Sequence, residues 1–442
     1  MAYGGGTFIA QNKILPGSYI NFVSAGKTSA TLSERGIAAM PLELSWGPWG
    51  DVFTVTADEF LTGSSKFFGY DASAFEMRGM RELFANARMC HFYRLGDEGT
   101  KAQNTYATAK HPGTRGNLIT VVVSQNVDNQ TLFDVKTLFD GKQADIQKGI
   151  ADISELSDND FVVWKKSSGT VLATAGTPMT GGVDGEIRNG DYEGFLKKIE
   201  NYAFHTLGVI SDNPVICRLF TAFTKRMRES VGVKFQTVLF KHSEADYEGV
   251  ISLENECIVG LNDVSDGKLE LLYWLIGAQA GCNVNKTLTG MIYNGELNLN
   301  TDMTQQGLED ALENGKFVFH RVGDSIRVLS DINTLKTFTP EKTQDFGDNQ
   351  VMRVLDQIGN DIAILFNKKY LGKMPNDNAG RISFKNDIAA HHDQLQALRA
   401  IENFDSGNVV VDKGSSKKSV VVTDCVTPVC AMTQLYMTVV VE

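Results

Sequence analysis

The chain has no excess of basic residues: 42 Lys and Arg stand against 53 Asp and Glu, for a net charge of −11. A surface of that sign repels phosphate, which argues against nucleic acid as a partner and leaves only local basic patches. Long apolar runs are missing too. The longest nearly apolar stretch, residues 269–282, carries Glu270 and Gln279 and falls short of a bilayer span, so no membrane insertion is expected. Met1-Ala2-Tyr3-Gly4-Gly5-Gly6 lacks the cationic-then-apolar order of a secretory signal. The cysteines, Cys90, Cys217, Cys257, Cys282, Cys425 and Cys430, contain no CxxC, as befits buried thiols in a reducing cytoplasm. The spacing of Cys425 and Cys430 is a weak metal or redox signal, set against ordinary packing.

Motifs that carry chemistry are equally scarce. No GK[ST] follows a suitably spaced glycine, and there is no GxSxG, HExxH or calcium-loop pattern. Gly4-Gly5-Gly6 neither follows a strand nor precedes a helix, so no cofactor is expected there. His391 and His392 would point about 100° apart on a helix, an awkward pair for one metal ion, so a structural or exposed role is expected. His320 sits in a strand-like run, and Asp302, Glu309, Asp310 and Glu313 read as a solvated acidic face. No dense catalytic constellation emerges, and an enzyme is not expected.

What is present is a globular composition, 42% hydrophobic and 21% charged over 442 residues, too long for one core. Extended pieces at residues 7–9 and 19–23 read as an arm entering a domain. Strand and turn signals at 41–55, a helix at 74–86 and a strand at 90–93 begin an α/β pattern. Trp46-Gly47-Pro48-Trp49-Gly50 is a core turn or an interface. The turn-rich segment 109–117 then opens a β-rich insertion with strands expected at 118–125, 131–139, 160–164 and 170–174. It closes at a second glycine-rich hinge, 177–185.

Alternation resumes with helices at 192–204, from Asn213-Pro214 to Gly232, at 269–281 and at 304–314. Strands are expected at 206–210, 233–240, 249–253, 317–322 and 325–329, which together predict a mostly parallel sheet with helices on both faces. Helices at 349–370 and 387–403 and a hairpin pairing 409–411 with 420–422 follow. The chain ends on a β-like run, 432–442. Leu435, Met437, Val439 and Val441 alternate with Gln434, Tyr436, Thr438 and Glu442, and the run either completes an internal sheet or is donated to another.

Taken in order, these segments resemble the tail sheath proteins of contractile phage tails and phage-tail-like bacteriocins. The resemblance rests on the turn at 41–50, the insertion bounded by 110–117 and 180–185, the segment Ala278-Gln279-Ala280-Gly281-Cys282-Asn283-Val284-Asn285-Lys286-Thr287-Leu288-Thr289, the helical C-terminal domain and the terminal run. It implies an N-terminal arm (1–22), an N-terminal α/β domain (23–109), an inserted β-sandwich-like outer domain (110–185), a subtilisin-like α/β core (186–340), an α+β C-terminal domain (341–430) and a donated strand (431–442). In that family's scheme the N-terminal arm (Thr7, Phe8, Ile9, Tyr19, Ile20, Phe22) and the C-terminal strand (Leu435, Tyr436, Met437, Thr438, Val439, Val440, Val441) join neighbouring subunits. The implied partners are further copies in a helical array, an inner tail tube, and baseplate and tail terminator proteins, in a virion tail or phage-tail-like particle assembled in the bacterial cytoplasm. The alternatives are a hydrolase on a subtilisin-like scaffold, which no motif supports, and a surface-binding module.

Overall fold

A computed structural model describes residues 32–166, 171–258 and 267–441. The chain divides into two compact units. The larger comprises Ser33–Asn360, Gln396–Asn403 and Val426–Glu442, and the smaller contains Asp361–Leu395 and Phe404–Cys425.

The larger unit is built on a seven-stranded sheet ordered 316–317, 250–253, 236–240, 206–208, 37–42, 89–94, 52–56. Every pairing in it is parallel except the last, where Val52–Thr56 runs antiparallel to Met89–Arg94. Both faces are covered, as a parallel sheet requires. Along Ile37–Leu42 the two-residue period sends Ala38, Met40 and Leu42 to one core and Ile37 and Ala39 to the other. The first core gathers side chains from the helices Ala57–Phe68, Arg78–Phe84 and Leu271–Gly281, and the second from Asn189–Ile199 and Pro214–Lys225.

Local chemistry sets the helix ends. Thr56 accepts from the Glu59 amide at 3.2 Å while Glu59 accepts from the Thr56 amide at 2.9 Å, a reciprocal cap that opens Ala57–Phe68. Asn213 caps Val215 at 2.9 Å and Pro214 takes the first helical position, as the sequence predicts. That helix passes through a π-turn over Arg226–Val231 and stops at Gly232, whose φ of 94° is left-handed. Leu271–Gly281 is apolar on every side except at Gln279 because almost all of it is buried. Its Gly277 permits close approach to Arg78–Phe84, since a Cβ there would lie 2.2 Å from the Leu83 carbonyl.

The insertion is two antiparallel sheets around one core that includes Val121, Val135, Phe139 and Trp164. The larger sheet orders Lys142–Ile150, Phe133–Phe139, Ile119–Gln125 and Thr174–Pro178, and the smaller pairs Ala107–Ala109 with Val162–Trp164. Lys142–Ile150 was not expected, because most of its side chains are exposed or half-buried and no apolar period marks it. A strand at 170–174 was expected, but the final strand begins at Thr174, and residues 167–170 lie outside the described residues.

The expected strand at 317–322 divides in two. Lys316–Phe317 joins the main sheet, whereas Phe319–Val322 forms a separate antiparallel hairpin with Ser325–Val328. Asn349–Leu365 is helical and continues as a π-turn over Phe366–Tyr370. The next helix, Asn378–Ala397, begins earlier than the expected 387 because Asp377 accepts the Gly380 amide at 2.8 Å and starts it there. In the smaller unit Val410–Lys413 pairs antiparallel with Val420–Thr423 beside a core of Leu365, Tyr370, Phe384, Ile388 and Val409. Among the described residues, no helix is long and apolar enough to cross a membrane.

Candidate functional site

The final segment is anchored and then released. Thr427–Pro428 pairs antiparallel with Ile401–Glu402, and the Val429 amide donates to the Ala400 carbonyl at 3.0 Å. Gln350, itself buried, clamps the next residues from both sides: its side-chain amide donates to the Val429 carbonyl at 3.0 Å, and its oxygen accepts from the Ala431 amide at 3.0 Å. Beyond Ala431 no strand forms through Val441. Among the described residues the alternating run therefore has no ladder. Leu435 is 85% exposed, Met437 74%, Val439 71% and Val441 90%, and Tyr436 on the opposite parity is equally open at 88%. Apolar side chains in such an array, attached to a fixed base, form an unsatisfied surface of the kind that marks an interaction site. The N-terminal arm residues Thr7, Phe8, Ile9, Tyr19, Ile20 and Phe22 lie outside the described residues.

The two expected hinges are stitched to each other rather than free. Asp184 accepts from the Thr114 amide at 2.9 Å and from its hydroxyl at 2.7 Å, and Asn117 and Gly182 exchange bonds of 2.9 and 2.8 Å. Arg94, 1% exposed at the end of Met89–Arg94, donates to the Pro112 carbonyl at 2.7 Å and lies 3.8 Å from Asp184. The insertion thus leaves the core through a hydrogen-bonded clasp. Asn117 and Asp184 lie in the two turn segments that the sequence singles out, but no signal joined them to each other or to Arg94, because the partners are far apart in the chain.

Trp46 resolves as a core turn: it is fully buried, its indole donates to the Lys66 carbonyl at 3.1 Å, and its ring meets His111, Phe139 and Phe161. Burial and then Lys110 and Lys101 push the His111 imidazole down to about 4, so it is neutral beside the indole. Trp49 is more open, at 38%, and donates to the Gly96 carbonyl at 2.8 Å.

Hydrolytic chemistry would be sought outside the carboxyl ends of the parallel strands. A crevice of about 210 Å³ does open there, lined by Asp212, Cys217, His242, Glu244 and Lys268 among others. His242 lies 3.0 Å from Glu244, an acid–base pair in form. Its neighbouring thiol is not activated: burial first, then Glu244 and Asp212, push Cys217 up to about 11, the opposite of what a thiolate nucleophile needs.

The other sequence candidates have structural surroundings. His320 is half-buried opposite Arg327 in the hairpin register. Asp302, Glu309, Asp310 and Glu313 are exposed, with Glu309 and Asp310 accepting from Gln305 and Gln306 at 3.0 and 2.9 Å. Cys425 and Cys430 are exposed free thiols. His391 and His392 are both fully buried, and their rings turn toward each other despite their helical offset.

Comparison with known proteins places this geometry in context. Residues 97–184 match the phage tail sheath protein beta-sandwich domain, 185–334 the phage tail sheath protein central domain, and 341–442 the phage tail sheath C-terminal domain. The phage-like element PBSX protein XkdK of Bacillus subtilis (strain 168) is 30% identical over 469 residues, covering 98% of this chain and 99% of that protein. The crystal structure of the sheath tail protein from Desulfitobacterium hafniense is 36% identical, with a TM-score of 0.78 over 93% of this chain and 96% of the other. The cryo-EM structure of the anti-feeding prophage helical sheath in its contracted state is 11% identical. It covers 96% of this chain and 99% of its own at a TM-score of 0.54, which speaks for the fold.

Proposed function

Because this chain belongs to the phage tail sheath family, we propose that it is the repeating subunit of a contractile sheath. It polymerises helically around an inner tail tube, stands in a metastable extended state, and contracts to drive the tube through a bacterial envelope. The observation that carries the reading is the segment following Ala431: fixed at its base by Gln350, rich in apolar side chains, and without a strand partner among the described residues. A strand without a ladder gains its bonds by joining another subunit's sheet, and burying Leu435, Met437, Val439 and Val441 there contributes about 1.5–3 kcal/mol each.

In this reading residues 435–441 and the N-terminal arm, from Thr7 to Phe22, are the joints between subunits. Main-chain bonds across such joints survive large rotations, and a head-to-tail contact that does not close builds a filament. Contraction needs no nucleotide: the extended array is held by a kinetic barrier, and small gains per subunit add over many copies. Baseplate and tail terminator proteins bound the array at its two ends, in a virion tail or a phage-tail-like particle assembled in the host cytoplasm.

The test is truncation after Ala431. The shortened chain should remain a soluble, folded monomer by size-exclusion chromatography and circular dichroism, yet give no striated tubes by negative-stain electron microscopy under conditions where the full chain does. Tubes from the truncated chain, or its misfolding, would overturn the donated-strand reading.

A further inference from the structure

Within the larger unit, one helix, Asn349–Leu365, holds the chain both near the start of the described residues and near their end. Gln350 takes the C-terminal side: its amide nitrogen donates to the Val429 carbonyl and its oxygen accepts from the Ala431 amide, each at 3.0 Å. Two turns further along, after about 10.5 Å of rise, Gln357 takes the other side. Its nitrogen donates to the Ser33 hydroxyl at 2.7 Å and to the Ser33 carbonyl at 3.2 Å. Both glutamines are at most 4% exposed. From Ser33 the chain passes to Arg35, which donates to the Cys282 carbonyl at 2.8 Å, and then into the strand Ile37–Leu42.

A buried glutamine has given up water and recovers that loss only through bonds such as these, so it fixes its partners as they fix it. The Gln350 amide acts as a peptide group does in a parallel ladder: it donates to the carbonyl of one residue and accepts from the amide two residues on, holding 429–431 as a neighbouring strand would. Around the glutamines the helix is pinned to the core. Arg353 pairs with Asp331 and donates to the Gln279 side chain at 2.7 Å and to the Lys286 carbonyl at 3.1 Å. Asp356 accepts from Arg228 at 2.7 and 2.8 Å, and Asn360 exchanges bonds of 2.7 and 2.9 Å with the Lys234 backbone. A satisfied buried network of this kind rigidifies what it joins, so the helix resists sliding or rolling under what it holds at 350 and 357.

We propose that Gln350 and Gln357 are positioning residues that fix the distance between two roots, Ser33 and Ala431, from which the joints between subunits depart. The inference rests on the proposed sheath role, in which those joints lie at residues 7–22 and 435–441. A subunit whose two roots shifted independently would change the spacing of its joints as it turned, and neighbouring copies would lose a common pitch. With both roots on one pinned helix the spacing is a constant of the subunit, and copies keep a common pitch through the turn. Leucine at either glutamine retains most of the side-chain volume and removes the hydrogen bonds, so it loosens one root while the core around the helix stays filled.

Spin labels placed at Glu34 and Met432 as genetically encoded amino acids spare the exposed thiols of Cys425 and Cys430, and read the spacing by electron paramagnetic resonance on the unassembled full chain. The wild-type chain should give one narrow distance. Gln350→Leu and Gln357→Leu should each widen that distribution at least about twofold. Val354→Ala, a truncation of a fully buried side chain on the same helix, should lower the thermal midpoint and leave the distance narrow. A broad wild-type distribution, no widening in either glutamine variant, or equal widening in Val354→Ala overturns the positioning role, and the first of these decides even if a variant fails to fold. Negative-stain images of the same chains test the consequence: the glutamine variants should give irregular striations or no tubes, and uniform striations from a variant whose distance has widened overturn the link from spacing to pitch. A narrow wild-type distance that the variants widen, without tubes from any chain, keeps the roots fixed as inferred and overturns the sheath role instead.

Discussion

Arg353, at the start of the long C-terminal helix, is 1% exposed and has no water to return to if its partner is lost. It pairs with Asp331, also 1% exposed, and donates to Gln279 at 2.7 Å. Asp331 further accepts from Gln279 at 2.8 Å, from Asn349 at 2.9 Å and from the Leu288 amide at 2.9 Å. Burial alone would raise this carboxyl, but Arg353 and the converging donors outweigh it and hold it below its ordinary value. Asp331→Ala should therefore cost about 3–5 kcal/mol in urea unfolding, because it leaves a buried guanidinium uncompensated, whereas Asp331→Leu combined with Arg353→Met should recover much of the loss. A depressed folded value also fixes the pH response. The stabilisation is present above the unfolded carboxyl value of about 3.9 and is lost as pH falls through the lower folded value, so the acid limb of the wild-type stability curve should flatten in Asp331→Leu/Arg353→Met.

Among the elements, the terminal run is where the proposed strand donation is tested apart from folding. Val439→Pro removes an amide hydrogen and locks φ, which a donated strand cannot tolerate, while in the free monomer the side chain is 71% exposed. The expected outcome is monomer stability within about 0.5 kcal/mol of wild type and tube formation abolished, against a Val439→Ile control that still assembles. Local chemistry also explains which elements could be read ahead of the structure. The helix starting at Asn213-Pro214 and ending at Gly232 was legible because cap, first-turn proline and left-handed glycine act over a few residues. Lys142–Ile150 was not, since its polar sides carry no period. The available signal was Asp140-Gly141, where φ values of 51° and 74° make the two-residue hairpin turn that pairs Phe139 with Lys142. The alternation of the terminal run is visible in the sequence, while the run itself forms no strand among the described residues. The Arg94–Asp184 clasp and the anchors at Gln350 and Gln357 depend on contacts that no local window contains.

At the scale of the molecule, the insertion joins the rest of the larger unit through the clasp, the shared ring of Trp46, the Lys142–Asp71 ion pair and the bonds from Arg115 to the Gly69 carbonyl. Its core draws on residues 102–179 and, from outside that stretch, on Trp46, which packs against Phe139 and Phe161. The two cores on either side of the parallel sheet contain no residue of the insertion. Excising 118–175 behind a short linker should therefore leave the sheet folded, with Asn117 and Gly182 still able to exchange their two hydrogen bonds. The exception is Trp46, whose indole would be stripped of Phe139 and Phe161 and exposed as an adhesive patch. Pairing the excision with Trp46→Gln removes that patch. If the insertion is an outer domain apart from the subunit joints, the excised Trp46→Gln chain should still build tubes by negative-stain electron microscopy, with thinner walls than those of the full chain. If the monomer is folded by circular dichroism but builds no tubes, the insertion belongs to the contacts between subunits, and the joints extend beyond the chain's two ends.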